Sequence, residues 1–581
     1  MPGSQSPSPT LQDWRARVDR DLRGRDFERA LVTRTLEGLD IQPLYTDGPD
    51  SPELPGQFPY RRGASALGAT RDGWEIRQPA SSVEQALDEL HKGARGLSVE
   101  DPDLVSALVA AVDTSLAPIH LVGPASAKAA QVVGQVASGG LGLSPLTELA
   151  ERGGLDGTLE QAWEVAAACI QQSGPSTRAL ALQTTTFHHA GASEVQDLAL
   201  GLAAQAETLR ALEARGVAPE QVFENTELRL ALDPRMFLGI AKLRAARQLH
   251  ARLAQACGVD WAPVIHAQLS WRVTTRRDVW VNLLRNTTAV FAAAVGGAQA
   301  ISSLPFADCA QPADQRLAAR VARNTQLVLA EESHLGRVID PAGGAFAPET
   351  WTAELAQTAW AAFQEIERQG GYLQALQSGW IHDWIAPVRA QRQSRIASRR
   401  QPITGVSEFP LLSERRPELR EERVGLWTAA PTTSLCAPLS LSRDASAYEE
   451  LRDRGDAAGN PAVFLAAIGP VASHTARVGF ASNLLQAGGF TPAPQRVDLD
   501  SVVKAFADSG ASLACICGSD AGYAEHASAL ATALKSAGAQ RVLLAGKPGE
   551  QESALREAGV DAFIYLRCDA LAALTDLWEA L

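Results

Sequence analysis

"PVIHAQLSWRVTTRRDVWVNLLRNTTAVFAAAVGGAQAISSLPF", residues 263–306, holds two short apolar runs with one helix-length segment between them. "PVIHAQLS" (263–270) and "QAISSLPF" (299–306) have the length and composition of strands. The intervening "TRRDVWVNLLRNTTAVFAAAVGGA" is long enough for a crossover helix and closes on Gly296–Gly297. A strand–helix–strand unit of this kind calls for a parallel sheet. Working outward, "IHLVG" (119–123) and "ALALQTTTF" (179–187) read as further strands separated by Ala/Leu-rich helical stretches. From about residue 41 to 395 this alternation predicts a (β/α)8 TIM barrel.

The flanks read differently. Residues 1–40 contain a charged helical arm, "LQDWRARVDRDLRGRDFERALVTRTLEGLD". Residues 396–460 are rich in charge and proline and read as a linker wrapped on the surface. Residues 461–581 return to alternation: "AVFLAAI", "SLACICG", "RVLLAG" and "AFIYL" separated by helical stretches predict a doubly wound, flavodoxin-like domain. "PVASHTARVGF" (470–480) follows the first of these runs, so His474 stands just past a strand, where such folds hold cofactors.

Composition narrows the partners. A formal net charge of -13 argues against nucleic acid, which needs a basic face. No apolar run reaches the roughly 18–20 residues that span a bilayer. The polar, Pro/Ser-rich start is unlike a secretory signal, and seven scattered cysteines give no disulfide framework, so a cytoplasmic setting is expected. Cys515 and Cys517 fall on one face of a buried strand, without the spacing of a zinc or redox site. "TTRRD" (274–278) reads as an ion-pairing or solvated loop, or as a phosphate contact.

Three stretches closely resemble the methylmalonyl-CoA mutase family of adenosylcobalamin-dependent acyl-CoA mutases: "TRTLEGLDIQPLYT" (33–46), "GIAKLRAARQLHARL" (239–253) and "LAARVARNTQLVLAEESHLGRVIDPAGGAF" (317–346). The resemblance implies a barrel threaded by the pantetheine arm of an acyl-CoA, and a C-terminal module carrying cobalamin with a histidine on cobalt. Residue by residue, the site motifs are eroded. The family's D-x-H-x-x-G stands here as Ala472–Ser473–His474–Thr475–Ala476–Arg477, which leaves His474 a doubtful cobalt ligand without its orienting carboxylate. The S-x-L motif becomes Gly518–Ser519–Asp520, and G-G becomes Ala545–Gly546.

In the barrel, T-x-R-Q-Y keeps Arg77 and Gln78 as candidate substrate contacts but has Pro79 for the tyrosine. Phe187 replaces another tyrosine beside the surviving His188. H-S-Q-T-S-G keeps His266 and Gln268, with Leu269 and Trp271 at the threonine and final glycine positions. No catalytic residue is expected: His188, His266, Gln268 and Pro79 are degenerate remnants in the barrel, and His474, Ser519 and Gly546 in the module. The resemblance therefore implies a small, beta-type chain that pairs with a large catalytic mutase chain. That partner would bind adenosylcobalamin and the acyl-CoA, and the N-terminal arm is expected either to wrap it or to lie as a solvated helix on this chain's own barrel. The competing expectations are a self-sufficient mutase of altered specificity and a non-enzymatic scaffold or chaperone for a mutase.

Overall fold

The computed structural model describes residues 9–49, 52–70, 73–307, 315–414, 425–427 and 429–581. Cys309 and the charged run 415–424 of the linker lie outside the described residues. Eight parallel strands close a barrel: β1 (Glu75–Pro79), β2 (Gly96–Val99), β3 (Ile119–Leu121), β4 (Gly139–Leu143), β5 (Thr177–Gln183), β6 (Thr226–Leu232), β7 (Val264–Leu269) and β8 (Ala300–Ser302). They follow one another around the ring in chain order, and β8 returns to β1 by pairing Ser302 with Arg77. Two predicted strands are shorter than expected. The run 179–187 ends as a strand at Gln183 and turns into a helix over Thr185–His189, so Phe187 and His188 are helical. The run 299–306 pairs only over Ala300–Ser302.

The surrounding helices explain the Ala/Leu-rich stretches. Glu194–Glu213 and Met236–Ala256 are buried on nearly every side, because the Phe346–Arg368 helix packs over both. Ala and Leu recurring on every side suit a helix with no solvent face. The first of these opens with a capping box in which Gln196 N donates to Ser193 Oγ and Ser193 N donates to Gln196 Oε1.

The second unit is a five-stranded parallel sheet of β9 (Ala462–Ile468), β10 (Thr491–Val497), β11 (Leu513–Cys517), β12 (Arg541–Ala545) and β13 (Ala562–Ile564). Its order, β10-β9-β11-β12-β13, is that of a flavodoxin-like domain. Cys515 and Cys517 point to one side of β11 with their sulfurs 3.9 Å apart, both fully buried.

Residues 396–460 do more than wrap the surface. Ile403, Val406, Ala445 and Tyr448 belong to the core of the C-terminal unit, and a helix spans Ser446–Ala457. Between them a strap runs along the barrel rim. Thr433–Ser434 pairs with Gly154–Leu155, Leu439 N donates to Ala150 O, and Ser442 N donates to His189 O. No helix among the described residues is long and apolar enough to cross a membrane.

β4 carries a register shift between Gly140 and Leu143, and Gly142 within it has φ +69°. A Cβ there would collide with the Leu121 carbonyl of β3. Gly142→Ala is expected to cost roughly 2–4 kcal/mol through strain at a position only glycine accepts, read as a lower urea midpoint.

Candidate functional site

The barrel's interior is filled with charge. Side chains alternate along a strand, so Glu75 and Arg77 of β1 share the inward face, as do Glu227 and Arg229 of β6. Arg77 Nε donates to Glu75 Oε1 (2.9 Å), and its two terminal nitrogens donate to Glu227 (2.8 and 3.1 Å). Nη2 also reaches Glu75 Oε2 (3.3 Å), and Nη1 reaches His266 Nδ1 (3.1 Å). A guanidinium has five N–H donors, and here all are engaged. Arg229 Nε donates to Glu227 Oε2 (2.7 Å), while His120 Nε2 lies 2.9 Å from Glu75 Oε1.

The neighbouring strands make room for these side chains. Gly96 of β2 lies under the Glu75 carboxylate, and Gly140 of β4 under the His120 ring. Any larger residue at Gly96 would collide with Glu75.

This arrangement fixes the candidate residues. Because Arg77 donates to His266 Nδ1, the His266 Nε2–H donates to Ser302 Oγ (2.8 Å), and Ser302 Oγ–H donates to Arg77 O (3.3 Å). The imidazole faces a cation rather than a carboxylate, so it cannot act as a base toward Ser302. Arg77 and Gln78, paired in the sequence as substrate contacts, lie on opposite faces of β1. Gln78 Nε2 is buried with no partner among the described residues, and Pro79 is exposed at the strand's end. Gln268 is half-buried, two residues beyond His266 on the same face of β7. Beyond it Trp271 reaches across the rim, its ring 5.8 Å from that of His189.

His188 is fully buried, with Nδ1 3.8 Å from Glu194 Oε2. With Glu194 and Asp197 it forms a cluster of metal-ligand spacing. The Lys242 ammonium already occupies that cluster, 2.5 Å from Glu194 Oε2 and bonded to Asp197 and to Ala231 O. The group is an ion pair, closed to a metal.

Sequence reasoning missed Glu75, His120, Glu227 and Arg229. The signal was present as acid-x-Arg spacing inside apolar runs, "WEIRQ" and "TELRLAL", which places opposite charges on one strand face.

The C-terminal unit tests the expected corrinoid site. Ligands of doubly wound sheets sit at the carboxyl ends of the strands where the order reverses, here β9 and β11. That crevice is occupied by the chain itself. Gly518 N donates to the Tyr523 hydroxyl (2.8 Å), which donates to Ala545 O (2.8 Å). Arg477 lies over the Tyr523 ring and donates to Ala545 O and to Asp520 Oδ1 (2.8 Å). Gly546 is covered by Arg477 and Tyr523, and the Ile468 side chain presses on Gly518.

Ser519 is engaged in capping the Asp520–Ser536 helix, accepting from Gly522 N (3.1 Å). His474 does not sit on a loop. The helix starts at Val471 and runs through it, and both ring nitrogens are buried without a partner among the described residues. Ala472 is exposed and offers nothing to orient the ring. With the strand-end groups already bonded and the space filled, these residues do not fit adenosylcobalamin.

Five of the ten histidines are buried neutral. Burial pushes His250 down to about 3, and burial with the Arg272 cation does the same to His189. Burial and then Arg77 lower His120 and His266, while burial and then Arg272 lower His188. Unfolded, each takes up a proton near pH 6.5, so acid favours the unfolded chain. Stability is therefore full above about pH 7 and falls below about pH 6, by about 1.4 kcal/mol per pH unit for each of His189 and His250, with the other three adding in the same direction. Urea unfolding at pH 7, 6 and 5 checks the slope. Arg77→Met should cost about 3–5 kcal/mol in the same assay, because Glu75 and Glu227 lose their shared counter-charge.

Comparison with known proteins agrees with this fold. The family model described as methylmalonyl-CoA mutase matches residues 101–485. The "Methylmalonyl-CoA mutase small subunit" of Streptomyces virginiae is 42% identical over 98% of this chain and 97% of its own length. The protein of the same description from Propionibacterium freudenreichii subsp. shermanii is 32% identical over 99% and 95%. A "Methylmalonyl-CoA mutase" of Cereibacter sphaeroides is 28% identical over 70% of this chain and 65% of its own. With its barrel, its flavodoxin-like unit and these relatives, the chain belongs to the methylmalonyl-CoA mutase family.

Proposed function

We propose that this chain is the small, non-catalytic subunit of a heterodimeric, adenosylcobalamin-dependent methylmalonyl-CoA mutase. A large partner chain then interconverts (R)-methylmalonyl-CoA and succinyl-CoA, binding both the corrinoid and the acyl-CoA. The observation that carries this reading is the Arg77 network. A pantetheine arm needs an open bore, and here Glu75, Arg77, Glu227 and Arg229 fill it with every guanidinium donor of Arg77 engaged. The filled crevice around Arg477 and Tyr523 supports the same conclusion for the corrinoid.

The working division is an arm (1–40), a barrel (41–395), a connecting segment (396–460) and a module of cobalamin-binding type (461–581). The arm supports pairing with a second chain. In the helix Leu11–Leu22 only Leu22 is buried. Its Trp14 packs edge-on against Phe27, just beyond the helix, and Leu11 is left exposed. An amphipathic arm that covers little of its own barrel is suited to lie on a partner's, and the assembly is placed in the cytoplasm.

The first test is an absorbance titration of the purified chain with adenosylcobalamin, followed by gel filtration. No corrinoid should travel with the protein. Co-expression with a large mutase chain should give an equimolar complex that turns over methylmalonyl-CoA, and His474→Ala should leave that rate unchanged within about twofold. Stoichiometric corrinoid on this chain alone, or turnover by it alone, would refute the proposal.

A further inference from the structure

The loop after β7 carries Arg276 and Arg277, and the Ser446–Ala457 helix carries Glu449, Asp453 and Asp456. These acids stand at i, i+4 and i+7, on one face of the helix. Arg276 donates from its backbone N (2.6 Å) and Nε (3.1 Å) to Glu449, and from Nη2 to Asp453 (3.3 Å). Arg277 Nη2 lies 2.5 Å from Asp453 Oδ1 and 2.7 Å from Asp456 Oδ2. Arg443, at the end of the strap, closes the group by pairing with Glu449 (2.6 Å) and donating to Thr274 O (3.2 Å).

The opposite side of this helix belongs to the other unit. Tyr448 and Leu451 lie in the C-terminal core, and Gly455 packs so closely on Gly489 that a Cβ would lie 2.6 Å from the Gly489 carbonyl. The helix is therefore bound to the C-terminal unit by packing and to the barrel by charge. The side chains of Glu449 and Arg443 are fully buried and that of Arg277 nearly so, and pairs so placed are screened little by salt.

We infer that these six residues form an ionic latch, and that the latch, rather than any bound ligand, fixes the C-terminal unit on the barrel rim. The crevice and the bore are both filled by the chain's own side chains, so no ligand is available to hold the two units together. Three cations face three carboxylates across the joint, and the charge balances within it.

The test uses the full-length chain and hydrogen exchange with thermal unfolding. Asp453→Asn with Asp456→Asn keeps shape and removes charge from the latch. Exchange in Ser446–Ala457 should then speed up at least about tenfold while the barrel strands keep their protection, and the C-terminal unit should melt separately, before the barrel. Arg277→Glu alone should do the same, and Arg277→Glu with Asp456→Arg should restore most of the protection. Wild-type exchange and a single transition in both the Asp453→Asn/Asp456→Asn and the Arg277→Glu variants would overturn the latch. So would losses that the reversed pair fails to recover.

Discussion

The Arg77 guanidinium is the constraint on which the rest of the barrel depends. Eight strands enclose a space that side chains must fill, and branched apolar residues usually do so. Here two arginines and two glutamates do it, balanced to zero with neutral histidines around them. Burial alone would raise Glu227, yet Arg77 and Arg229 hold it well below the ordinary carboxylate range. Such a group is worth little more than a well-packed apolar core while intact, but any single deletion strands a buried charge. Its members therefore stand or fall together. The glycines at Gly96 and Gly140 belong to the same device, since they provide the volume the charged chains occupy.

The crevice of the C-terminal unit is filled by the same means. Arg477 takes the Ala545 carbonyl and an aspartate, and Tyr523 bonds the same carbonyl and Gly518 N. In each unit the space a ligand would use is filled by an arginine bonded to an acid within the chain. Loss of a ligand leaves backbone polar groups unpaired and a void unfilled, and both are costly. A large cationic side chain that reaches a carbonyl and a carboxylate relieves both at once.

Much of the architecture was legible because strand–helix alternation is written in hydrophobicity, which is local. The filling of the bore was not, since it depends on which strands become neighbours. "WEIRQ" and "TELRLAL" lie about 150 residues apart, and only barrel closure brings Arg77 to Glu227 (|i−j| = 150). The helical placement of His474 was also hidden, because "PVASHTARVGF" has loop-like composition although Pro470 is well suited to precede a first turn. The linker misled in part: four of its charged residues, Arg443, Glu449, Asp453 and Asp456, belong to the latch, and Ile403, Val406 and Tyr448 enter the neighbouring core.

The stretches that carry the family resemblance are tied into the fold. In 33–46, Glu37 pairs with Arg235 (2.8 Å), and the Tyr45 hydroxyl accepts from Trp351 Nε1 (2.7 Å). In 239–253, Arg244 bridges Asp340 and Glu349, which ties that helix to the "RVIDPAGG" loop. In 317–346, Arg323 pairs with Glu89 (2.5 Å), and Gln326 accepts from Trp74 Nε1 and donates to Ile301 O. Each is a buried or half-buried polar tie between elements far apart in sequence, and removing one partner strands the other. Such residues are held by the fold whether or not a ligand ever enters. Resemblance of this kind therefore reports shared packing, and what the barrel can admit has to be read from the residues that line its bore.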